Sequence, residues 1–83
     1  MGSGRVVDRA ERAAALEAAQ AVALRWRCSR TMPDLGQLQA EVARLAKKVA
    51  VLHGFERAGP AYWRVVELAE VELERLVLDR WQG

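Results

Sequence analysis

Two short interruptions, residues 28–33 and 53–59, cut this chain into three stretches of about helical length and constrain its fold more than any other feature. In the first, Pro33 forces Met32 out of the α region, because the proline ring clashes with the preceding backbone. In the second, Gly54 suits the left-handed position just past a helix end, and Pro60 suits the first turn of the next helix. Between the breaks the sequence is rich in Ala, Leu, Glu, Arg and Gln, without strand alternation or β-turn dipeptides. These features predict helices over about residues 6–29, 34–53 and 60–82, antiparallel between neighbours because the links are short. The expected fold is all-α: a three-helix antiparallel bundle, or a helical hairpin plus an N-terminal helix, completed by dimerisation. Residues 1–5 read as a flexible leader or cloning scar, and 6–83 as a single helical domain.

At 83 residues the chain buries only about 60% of the surface its unfolded form exposes, so a lone core is marginal. Small folds gain stability from disulfides, a structural metal, oligomerisation or unusually good helix packing. A single cysteine, Cys28, excludes an internal disulfide, and with the single histidine, His53, it cannot complete a four-ligand zinc site within one chain. Packing and oligomerisation remain. No uncharged apolar run approaches the roughly 20 residues of a membrane span, and no secretory signal is legible at the start, so a cytoplasmic protein is expected.

The first predicted helix carries Asp8 and Glu11 near its start and Arg25 and Arg27 near its end, the order a helix dipole favours. Its alanines, at 10, 13, 14, 15, 18, 19, 21 and 23, fall all round the wheel and leave no sharp apolar stripe. In the second, Asp34 followed by Gln37 has capping-box spacing. Leu35, Leu38, Val42, Leu45, Val49 and Leu52 then follow heptad spacing through almost three repeats, which reads as a buried bundle helix rather than an extended zipper. Burying each is worth about 1.5–3 kcal/mol before ordering costs.

The third helix places Tyr62, Val65, Val66, Ala69, Leu73, Leu76 and Val77 on one broad face, enough to fill a hairpin interface. Left over are Val71 and Leu78, seven residues apart, with Leu68 to one side and Trp63 and Trp81 to the other. A thin, alanine-rich helix is a poor cover for them, so these five residues form the expected partner interface. The partner is a second copy of the chain, as a homodimer, or another helical protein.

The net charge of +2 hides a gradient: residues 1–30 hold six arginines against three acids, and residues 55–83 four against six. Arg25, Trp26, Arg27 and Arg30 form the one basic and aromatic cluster, which Arg44, Lys47 and Lys48 join if the first two helices are antiparallel. This supports an alternative, a small DNA- or RNA-binding regulator. Against it stands the acidic third helix, where a helix-turn-helix protein would carry its recognition residues.

Glu67, Glu70 and Glu74 lack the Glu-x-x-His pattern of bundle metal sites and read as a solvated acidic face. His53 reads as a cap for the carbonyls ending its helix, and Cys28 as a small buried hydrophobe. No phosphate loop or nucleophile motif is present, and charges facing the core are not evident from the wheel. The expectation is therefore no enzyme, no cofactor and no metal, but an interaction module such as an adaptor, a regulatory protein or an assembly subunit.

Overall fold

The computed structural model describes the backbone of residues 9–27 and 34–82, with side chains through Asp79. It contains three helices, α1 (Arg9–Arg27), α2 (Leu35–Leu52) and α3 (Pro60–Gln82), each packed against both others. The leader, Cys28 and Arg30, the Met32–Pro33 break and the Trp81 side chain lie outside the described residues. Cross-links fix the directions. Glu17 meets His53 and Trp26 meets Glu41, so α1 and α2 are antiparallel. Lys47 lies over Trp63, so α2 and α3 are antiparallel too, while Glu11 meets Arg64 at the start of α3, so α1 and α3 run parallel. No described helix is long and apolar enough to cross a membrane.

The helix ends follow from local chemistry. Asp34 is the N-cap of α2, with extended backbone, and its Oδ1 accepts from the Gly36 N–H at 3.0 Å. The capping bond therefore falls on the second residue of the helix rather than on Gln37. At the other end the Phe55 N–H donates to the Ala50 carbonyl and the Gly54 N–H to the Val51 carbonyl, each at 3.0 Å. This is the paired bonding of a Schellman motif, with Gly54 at φ 93° supplying the left-handed turn and Phe55 packing back on the core. His53 caps through its backbone, donating to the Val49 carbonyl, but its ring does not sit on the helix end: Nε2 lies 2.9 Å from Oε1 of Glu17 on α1.

Among the described residues, seven of the fifteen buried hydrophobic ones are alanines, and the large side chains buried completely are Leu38, Leu73, Val42 and Val65. On α1, Ala14, Ala15, Ala18 and Ala19 are fully buried, with Val22 below them, while Ala10, Ala13 and Ala21 face solvent. The alanines that surround α1 in sequence are thus sorted by packing into one narrow inward stripe. On α2, Leu38, Val42 and Val49 are buried as expected, but Leu35 and Leu45 are only half-buried and Leu52 is 81% exposed. Ala46 and Ala50 are fully buried in their place. The buried arc is rotated from the heptad seam by about 40° at 100° per residue, because α2 faces the groove between two neighbours and its alanines admit a close approach. On α3, Tyr62, Val65, Val66, Ala69 and Leu73 are buried and Leu76 and Val77 pack half-buried against them, as the wheel requires.

Substitution of Gly54 by Ala is expected to lower stability by about 1–2 kcal/mol, the cost of holding an L-residue in the left-handed region. A Cβ there meets nothing within 4 Å, so the loss is purely conformational. Ala58 holds φ 64° without being glycine. Ala58→Gly is therefore expected to act in the opposite sense, by about 0.5–1 kcal/mol after its unfolded-state entropy is counted. Urea midpoints of both variants, at unchanged m-value, check the two signs.

Candidate interaction surface

The outer side of α3 is bounded by two contacts. On one flank Trp63 lies against α2: the Lys47 ammonium sits 5.7 Å from the centre of its ring, and Tyr62 meets it edge-to-face at 4.9 Å between ring centres. On the other flank Arg64 reaches α1, where its Nε and one terminal nitrogen donate to the two oxygens of Glu11 at 2.9 and 2.8 Å. Val71 and Leu78 lie at wheel angles between these flanks and touch neither neighbour's core, with exposures of 53% and 44%. Trp63 is 47% exposed although it touches Lys47 and Tyr62. Leu68 is placed differently: it is half-buried and packs against the core. Leu68 is thus partly covered by the bundle, while Val71 and Leu78 stay open.

Charge is distributed unequally across this surface. Glu67, Glu70 and Glu74 line the flank nearer α2, and Arg64 and Arg75 the flank nearer α1. Among the described residues no group of three or more His, Cys, Asp or Glu could hold a metal ion.

Glu41 of α2 stands among the basic residues at the end of α1. Arg25 and Trp26 both turn to Glu41 of α2, the indole N–H donating at 3.3 Å and the guanidinium lying at 3.8 Å. An acid thus sits at the centre of that group, and Arg27 remains exposed beside it. Lys47 and Lys48 lie farther along α2, where with Arg57 they surround an open groove of about 450 Å³ lined also by Val51, Leu52 and Tyr62. Arg44 is exposed one turn before them. Lys47, from the basic set, lies at once in this groove and over Trp63, from the apolar set. Val51 and Arg57 were not legible as surface residues of interest, Arg57 because it sits in a break with no periodicity to place it.

Two buried carboxylates also escaped the sequence reading. Glu11 is 3% exposed and Glu72 is 7% exposed, the latter 3.7 Å from Arg75. Glu11 shares the i, i+4, i+7, i+11 spacing of Ala15, Ala18 and Val22, which was the available signal for its inward position. Its partner lies 53 residues away, beyond any local pattern. The forked arrangement satisfies both oxygens and pins α1 alongside α3.

Removing the guanidinium by Arg64→Leu leaves a buried carboxylate without its fork. The expected loss is about 1–3 kcal/mol, at the lower end of charged hydrogen bonds because Arg64 is half-exposed. The double variant Glu11→Leu/Arg64→Leu is expected to recover most of that loss, since an apolar pair leaves no buried charge. Thermal or urea unfolding of the two variants decides it, and equal losses in both would show that the pair is not what fixes α1.

No family model, curated protein or solved structure matches this chain.

Proposed function

We propose that this protein is a helical interaction module that associates with a second copy of itself through the outer side of α3. The observation that carries this reading is the exposure of Trp63, Val71 and Leu78 on a helix whose opposite face already fills the core. Apolar side chains aligned on one solvent-facing side are a feature of association surfaces, and a half-exposed tryptophan beside them has the character of an interface anchor. The thin core adds to the argument. With seven alanines among the fifteen buried hydrophobic residues described, the single chain has little apolar burial to offset its ordering entropy, and association supplies more. An adaptor, a regulator and an assembly subunit all fit this reading, and a different helical protein in place of the second copy is the outcome to expect if self-association fails.

Val71→Glu/Leu78→Glu is expected to reduce the mass measured by light scattering from two chains to one, with helicity almost unchanged because neither side chain is in the core, and to lower the unfolding midpoint and remove its dependence on chain concentration. A wild-type chain that already runs as a monomer at high micromolar concentration would contradict self-association.

One observation favours a second reading, nucleic-acid binding. Lys47, Lys48 and Arg57 converge on a groove with no acid in its lining, and among the described residues none of the three forms an ion pair. The reading has less support than self-association, because Arg25 and Trp26 are drawn onto Glu41 and α3 is acidic. Gel-shift titration at two salt concentrations separates the two: the proposed module gives no retarded band, whereas phosphate contacts would give one that weakens steeply as salt rises.

A further inference from the structure

The α2–α3 hairpin presents two unlike strips side by side on the surface away from α1. On α2 the strip is basic and shallow: Arg44, Lys47 and Val51 are exposed, with the small side chains of Ala40 and Ala43 on the turn before them. On α3 it is acidic and apolar: Trp63, Glu67, Val71 and Leu78 are exposed, with Glu70 and Glu74 half-buried at the α2 edge. Lys47 over Trp63 marks the seam where the strips adjoin. Resting on the self-association reading above, we infer that two copies pair face to face about a two-fold axis running parallel to the helices, so that α3 of each copy lies on α2 of the other.

The choice of axis follows from charge. Face-to-face pairing of a hairpin permits two symmetric arrangements with aligned helices. An axis perpendicular to the helices sets α3 against α3 and α2 against α2, so that the acidic strip lies against the acidic strip of the second copy and the basic strip against the basic one. Like charges juxtaposed at an interface cost several kcal/mol. An axis parallel to the helices exchanges the strips instead. Because it leaves heights along the bundle unchanged, and because Lys47 and Trp63 stand at one height, Glu67 then faces the level of Arg44 in the second copy. Trp63 faces the level of Lys47 and Val51, beside the open groove. Val71 meets the level of Ala40, where small side chains leave room for it. The α2 and α3 helices that touch across this interface are antiparallel, so the four together form a bundle of the ordinary kind.

Charge inversion tests the pairing. Arg44→Glu/Lys47→Glu makes both strips acidic, and Glu67→Lys/Glu74→Lys makes both basic. Each variant is expected to weaken self-association by at least about 100-fold, and an equimolar mixture is expected to regain the mass of two chains. The four-residue variant carrying all these changes exchanges the strips. It is expected to self-associate, yet an affinity-tagged form should retain no wild-type chain, since acid then meets acid and base meets base. Retention of wild type by that variant would establish the perpendicular axis and overturn the inference. So would charge-inverted variants that keep the mass of two chains. If Val71→Glu/Leu78→Glu lowers the mass while charge inversion does not, self-association through α3 stands and only the exchanged pairing fails. A monomeric wild type removes both.

Discussion

The contact on which this structure depends is the close approach of α1 to the α2–α3 hairpin through side chains no larger than a methyl group. Ala14, Ala15, Ala18 and Ala19 on α1, Ala46 and Ala50 on α2, and Ala69 on α3 are all completely buried. Such residues lose almost no side-chain entropy on packing and are the best helix formers, so the helices are cheap to order. Each also removes little apolar area from water, so the core they make is thin. The forked Glu11–Arg64 pair and the Glu17–His53 contact add direction to an interface that alanines alone specify poorly.

A thin α1 sets what the rest of the bundle can hide. A narrow helix riding close to its neighbours covers only the part of α3 that faces it, and Leu68 is left half-buried beside that part. The third helix is apolar over a wider arc than two neighbours of this kind enclose, and the surplus emerges as Trp63, Val71 and Leu78. On α2 the same geometry turns the buried arc toward Ala46 and Ala50, which leaves Val51 and Leu52 outside. The exposed apolar residues of both helices thus share one origin, and the association reading rests on that origin together with the charge strips that border them.

What could be read from the sequence is what local chemistry decides. Asp34, Gly54 and Pro60 each act within one turn of their own position, and the helix boundaries they imply agree with α2 and α3 to within a residue. The core face of α3 was legible because its large residues recur with helical period. The orientation of α1 was not, since alanine stands at almost every angle and only contact with α2 and α3 selects among them. Glu11 was hidden because an acid in a first turn is already explained by the helix dipole, and its true partner is distant in sequence. The acid beside Arg25 and Trp26 was hidden for a similar reason: Glu41 lies outside the local run around Arg25 yet contacts both residues.

The central claim is that the α2–α3 hairpin, on the side away from α1, is the surface at which two copies meet. A dilution series of two-dimensional amide NMR spectra, from millimolar to low micromolar chain, addresses it residue by residue. The account predicts concentration-dependent shifts at Ala40, Lys47, Val51, Trp63, Glu67 and Val71, and none at Ala13, Gln20 and Leu24 on the outer side of α1. Spectra that do not change on dilution, or changes confined to α1, would contradict it.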